Sequence, residues 1–153
     1  MKSLMQTLTR GTLAAALTAC GIASAFAADL KVGLSVSLSG PNSSLGVPYA
    51  KGMQAALAYK GEVNGRKIQL DIFDDTGDPT VGTNVARKIA SEGYVAMIGT
   101  AESAVTVAMI PVLKTARIPN ITSGQSPAIV AEKSPFAFLN GPTSTTYDET
   151  LAK

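Results

Sequence analysis

Three apolar runs in this 153-residue chain each break into a turn rich in Ser, Thr and Gly, then continue as a helix. The turns are Ser37-Leu38-Ser39-Gly40-Pro41, Gly99-Thr100-Ala101-Glu102-Ser103 and Thr122-Ser123-Gly124-Gln125-Ser126. Strand, turn and helix repeated in that order restrict the chain to a parallel α/β sheet. In such a sheet the turns gather at the carboxyl edge of the strands, where ligands bind. Hydroxyls and free helix N–H groups there favour a small anionic or zwitterionic molecule. None of the three turns carries Lys, Arg or His. That suits reversible capture of a ligand better than chemistry performed on it.

The elements follow from periodicity. Leu30, Val32, Leu34, Val36 and Leu38 alternate with Lys31, Gly33, Ser35 and Ser37, the pattern of a strand. Pro48 is expected to open a helix that turns Met53, Ala56 and Leu57 inward. Asn64-Gly65 signals a turn into a second alternating strand with Ile68, Leu70 and Ile72. Asp78-Pro79 reads as N-cap and first helical residue, and Val81, Val85 and Ile89 at i, i+4, i+8 carry that helix to Gly93 at C′. Val95–Ile98 is a short strand. Ser103 is expected to cap the next helix, with Val107, Ile110 and Leu113 toward the sheet and a kink at Pro111. Ile118–Thr122 and Phe136–Leu139 complete five strands, with a short helix opened by Ser126-Pro127 between them. The order βαβαβαβαβ argues a doubly wound parallel sheet. Thr143–Lys153 begins a further helix with no Gly, Pro or polar tail to end it, so the chain reads as a fragment.

Residues 1–27 stand apart from this pattern. Lys2 and Arg10, the apolar stretch from Leu13 and the small residues Ala25-Phe26-Ala27 make a secretory signal peptide cut after Ala27. The competing reading takes Leu17-Thr18-Ala19-Cys20 as a lipobox with Cys20 lipidated. The apolar segment 21–28 would be a poor tether, since tethers are usually polar and flexible. Either way residues 28–153 are exported as one domain. The chain has 13 basic and 11 acidic residues; without Lys2 and Arg10 they balance at 11 and 11. No basic face is left for nucleic acid. With no His anywhere and Cys20 as the only cysteine, zinc sites and His-dependent triads are excluded.

Each candidate residue has a purely structural alternative. Ser103 could contact a ligand or serve only as an N-cap, a role Ser fills well in any protein. Asp74, Asp75 and Asp78 fit turn formation and capping. They fit a receiver-type acidic pocket less well, because Gly99-Thr100-Ala101 stands where a further Asp is needed. Glu102 is expected to be a solvated acid. Tyr147 and Asp148 fit a cleft or a plain helix surface equally. Neither G-x-G-x-x-G nor G-x-x-x-x-G-K-[ST] nor G-x-S-x-G occurs. An enzyme is therefore not expected.

Lys31-Val32-Gly33-Leu34, then Ser39-Gly40-Pro41 with Gly46, then Asp74-Asp75 with Asp78-Pro79, Ile98-Gly99, Ser103 and Ile118-Pro119-Asn120-Ile121-Thr122 follow in fixed order. Together they resemble the periplasmic substrate-binding proteins of branched-chain amino acid ABC transporters. The resemblance implies the N-terminal lobe of a two-lobe clamshell, with the second lobe missing, and an amino acid or related small carboxylate held between lobes. It implies a membrane permease as partner, a monomer, a periplasmic location and no cofactor or metal. In that family a Ser at the position of Ser103 holds the ligand carboxylate. A carbonyl at Gly124 and a hydroxyl at Ser126 take the ammonium group. Leu45 stands where branched-chain binders carry an aromatic residue against the ligand side chain, and the family's paired cysteines are replaced by Gly77 and Glu102. Ser44-Leu45-Gly46-Val47-Pro48 is similar to the branch that binds aromatic carboxylates. A ligand-sensing domain of a signalling receptor is the remaining alternative.

Overall fold

A computed structural model describes residues 28–152; the signal-peptide reading of residues 1–27 lies outside them. The chain runs β1 (Leu30–Val36), α1 (Ser43–Tyr59), β2 (Glu62–Val63), β3 (Arg66–Asp74), α2 (Pro79–Ser91) and β4 (Ala96–Ile98). It continues through α3 (Ser103–Ala116), β5 (Asn120–Thr122), α4 (Pro127–Ala131), β6 (Ala137–Leu139) and α5 (Ser144–Leu151). The six strands lie in the order β2-β3-β1-β4-β5-β6. All neighbours are parallel except β2 with β3. The antiparallel strand was not foreseen: Asn64 (φ 51°) and Gly65 (φ 74°) make a two-residue hairpin turn that folds Glu62 and Val63 back onto Lys67 and Arg66.

The expected alternation along β1 holds, but both of its faces are packed. Leu34 and Val36 join Ala50 of α1, with Leu70, Ile72 and Ile98 around them. The other face meets α2 and α3, where Val85, Ala86, Ile89, Met97, Val105, Met109 and Leu113 form the larger core. Gly33 lets α2 come close, since a Cβ there would stand 2.6 Å from Ile89 Cδ1. The sheet is therefore doubly wound, with α1 on one face and α2 and α3 on the other. Cover on the α1 face thins toward β6: Ile121 is 43% and Phe138 51% exposed.

Two helix starts differ from expectation. Helix α1 begins at Ser43 rather than Pro48, which lies inside it, and Ala56 is exposed rather than inward. Gly46 explains the early start: a Cβ there would fall on the Ser37 carbonyl oxygen, so only Gly lets the first turn sit on the end of β1. Helix α3 has Glu102 at its N-cap and Ser103 as its first residue. Helix α2 is as expected: Asp78 Oδ1 accepts from the amides of Thr80 (2.7 Å) and Val81 (3.0 Å), and Gly93 follows the helix at φ 77°.

Candidate functional site

Among the parallel strands the order is second, first, third, fourth, fifth. The winding direction reverses between β1 and β4, and ligands of such sheets sit at that reversal. The loop after β1 and the loop after β4 flank it. Gly99 makes the approach feasible, because its φ of 103° and the contact a Cβ would make with the Ser35 carbonyl both require Gly.

The acids at the end of β3 fix the β1 loop. Asp74 Oδ1 accepts from the amides of Leu38 (2.9 Å) and Thr76 (2.9 Å), and Oδ2 from the Ser39 hydroxyl (2.6 Å). Burial pushes the Asp74 carboxyl up, but these donors together outweigh it and hold its pKa below 3.8. Asp75, fully buried, accepts from the hydroxyls of Ser35 (2.9 Å) and Ser37 (2.7 Å) and from the Gly77 amide (3.0 Å). These acids are turn formers and strand ties. Among the described residues no group of three His, Cys, Asp or Glu could hold a metal ion.

Ser103 is not a cap. Its Oγ accepts from the amides of Gln125 and Ser126, each at 3.1 Å, and so joins the β4–α3 loop to the β5–α4 loop. A hydroxyl has two lone pairs and one proton. With both lone pairs receiving amides, the hydroxyl still has its own proton to donate. Helix α3 starts with no side-chain cap bond, so the amides of its first turn also lack a side-chain acceptor. The Ser103 hydroxyl and the first turn of α3 thus lie together where the β4–α3 and β5–α4 loops meet.

The other expected residues are placed as follows. Ser126 caps α4, its Oγ accepting from the Ala128 amide at 3.2 Å, which leaves its own proton unassigned. Gly124 is buried and donates to Thr122 Oγ1 at 3.0 Å. Because the Gln125 amide points at Ser103, the Gly124 carbonyl on the same peptide plane faces away from it. Leu45 is 59% exposed in the first turn of α1, one turn before Tyr49. Tyr147 is exposed on α5, whose first amide, Ser144, donates to the Gln125 carbonyl at 2.8 Å. Neither Leu45 nor Tyr147 bonds to Ser103. Glu102 is half-buried rather than solvated, and its Oε1 is enclosed without a hydrogen-bond partner.

Sequence reasoning missed the groups that tie the rim together. The Ser123 hydroxyl lies 3.3 Å from Tyr49 Oη of α1 and accepts from Asn140 Nδ2 at 2.9 Å, linking three elements. Tyr49 lies one helical turn beyond Leu45, a spacing that shares a helix face and was available as a signal. The threonines beneath the loops carried no such signal. A half-open concavity of about 150 Å³ lies elsewhere, between α1 and the sheet, bordered by Val32, Met53, Leu57, Ile68, Leu70 and Ile98. Its wall is almost wholly apolar and offers nothing to orient a ligand, unlike the hydroxyl-lined rim.

Residues 29–153 match the family model of the periplasmic binding proteins. Leu/Ile/Val-binding protein homolog 1 of Brucella abortus (strain 2308) is 40% identical over 105 residues, which are 67% of this chain and 28% of that protein. The chain thus spans under a third of the length of the curated relatives it matches. The leucine-binding protein LivK of Thermotoga maritima superposes with a TM-score of 0.75 at 24% identity, over 80% of this chain and 35% of that one. A solute-binding protein of an ABC transporter from Rhodopseudomonas palustris BisB5, in complex with 3,4-dihydroxybenzoic acid, gives 0.70 at 23% identity, over 75% and 32%.

Proposed function

The chain belongs to the periplasmic binding protein family, and on that premise we propose that it is the N-terminal lobe of an extracytoplasmic receptor delivering amino acids or related small carboxylates to an ABC importer. The observation that carries this reading is the Ser103 hydroxyl, with both lone pairs turned to backbone amides and its proton free for a ligand carboxylate. The uncapped first turn of α3 adds its dipole and amides to the same spot. Ser126 and the Gly124 carbonyl lie across the adjoining loop and serve the ammonium group of an amino acid. Leu45 and Tyr147 flank the apolar part of the ligand.

One lobe presents one wall, so affinity comes from a second lobe closing over the ligand, the closed form being favoured by its extra contacts. A permease then receives the ligand from a monomeric receptor. The signal peptide read at residues 1–27 would deliver the protein to the periplasm. Among the described residues no helix is long and apolar enough to cross a membrane.

A second reading, an aromatic carboxylate as ligand, is favoured by Leu45: an exposed aliphatic side chain stands where branched-chain binders carry an aromatic ring. A thermal-shift panel of L-leucine, L-isoleucine, L-valine and 3,4-dihydroxybenzoate on the complete protein separates the two, because a ligand of the native state raises Tm. Ser103→Ala should then weaken the ligand found by about 1.5–3 kcal/mol, the range for a hydrogen bond to a charged group. An unchanged Kd would leave that hydroxyl as a brace between loops.

A further inference from the structure

Beneath the two loops that Ser103 joins, three fully buried threonines meet. Thr100 comes from the end of β4, Thr106 from the first turn of α3 and Thr122 from the end of β5. The Thr100 hydroxyl donates to the Glu102 carbonyl at 2.8 Å. The Thr122 hydroxyl donates to the Thr100 carbonyl at 2.8 Å and accepts from the Gly124 amide at 3.0 Å. Either of those two hydroxyls can instead turn its proton toward Thr106. Thr106 Oγ1 lies 3.1 Å from the Glu102 carbonyl, 3.2 Å from Thr100 Oγ1 and 3.0 Å from Thr122 Oγ1. It is the one member within hydrogen-bond distance of both of the others, so it can donate to the Glu102 carbonyl while accepting from Thr122.

The Glu102 carbonyl also accepts from the Thr106 amide at 3.0 Å, so three donors draw it inward. A trans peptide holds C=O and N–H antiparallel. The Ser103 amide, on the same plane, is thereby turned away from the threonines and toward the rim. On the other side, Thr122 holds the Gly124 amide and with it the start of the loop whose next two amides reach Ser103. Gly124 packs closely here: a Cβ would stand 2.6 Å from Ile129 Cδ1, 3.2 Å from Thr106 Oγ1 and 3.3 Å from Thr122 Oγ1.

We propose that Thr106 is a positioning residue of the carboxylate site proposed at Ser103, aiming the Ser103 amide through the Glu102 carbonyl and setting the height of the β5–α4 loop through Thr122. The proposal rests on the reading of Ser103 as ligand-facing. Filling the space is not its purpose, since Val has the same shape and needs no hydrogen-bond partner in a buried site.

The test uses Thr106→Val and Thr106→Ser in the intact protein. Amide exchange of Gly124, Gln125 and Ser126 is compared with that of Ile72 and Phe73 on β3, which report on opening of the whole domain. Thr106→Val should speed exchange in the loop about fivefold beyond any change on β3, as expected for one ordinary hydrogen bond. It should weaken L-leucine or 3,4-dihydroxybenzoate, whichever the parent binds, by a similar factor, and Thr106→Ser should restore both. Equal acceleration in loop and strand, or none, would overturn the proposal. Should Thr106→Val not fold, Thr106→Cys, which like Thr106→Ser lacks the γ-methyl but keeps only a weak donor, is compared with Thr106→Ser by the same exchange measurement. A parent that binds neither probe would count against the receptor reading, while the exchange data would still decide the role of Thr106.

Discussion

Ser103 and Asp75 show what a residue's type can and cannot announce. Both are polar and both follow strand ends, yet Asp75 is sealed among Ser35, Ser37 and Gly77 while Ser103 accepts two amides of another loop. At Gly99 the requirement is steric, since any side chain would meet the Ser35 carbonyl and φ is 103°. Gly99→Ala should cost about 3 kcal/mol, the upper range for overpacking. Urea unfolding should show it as a lower Cm at unchanged m. Asp74 gives a pH prediction. Its pKa is lowered on folding, so the stability it contributes is present above pH 3.8 and is lost as pH falls through the lower folded value. Asp74→Asn should flatten the acid limb of a Cm-against-pH curve; an unaltered limb would refute the assignment. The paired acids were legible as turn formers because Asp bonds local amides in any fold. Their bonds to the end of β1 and the loop after it, which join residues 35 to 40 positions apart, were not.

Whole elements were legible where the local signal was strong and competed with nothing. Helix α2 has its cap, its proline, its apolar spacing and its terminal glycine, and it begins where they place it. Helix α1 overruled its proline because Gly46 allowed the chain to start turning against β1 earlier. Helix α3 overruled its serine cap because Ser103 found better partners in another loop. At the far end of the sheet Tyr94 secures the start of β4. Its hydroxyl donates to Asp71 Oδ2 at 2.8 Å, and the Lys31 ammonium lies 4.3 Å from its ring centroid. Burial first, then the Asp71 carboxylate, pushes the Tyr94 phenol up to about 12. The folded state thus holds that proton more tightly than the unfolded chain. The resulting stability is present below pH 10.0 and lost as pH climbs toward 12. Tyr94→Phe should remove that alkaline loss, measured by urea unfolding between about pH 9 and 12.

At the scale of the molecule, the described residues 28–152 form one α/β layer with its hydroxyl-bearing loops on one edge. A ligand site normally encloses most of its ligand's surface. Isothermal calorimetry on the 28–153 segment should therefore detect weak binding of L-leucine or none. Tight binding by this segment would contradict the two-lobe reading. What the sequence determined by itself was local: strands and helices in alternation, hence a parallel sheet, hence hydroxyl-bearing turns on one edge. Periodicity and capping act over a few residues and survive in any tertiary setting. Only the tertiary structure decided which loops face each other across the winding reversal and which lone pairs of Ser103 are taken. It also decided that three distant threonines share one buried point. A hydrogen bond between residues 103 and 126 depends on the sheet order and on the heights of two loops, and no local pattern encodes either.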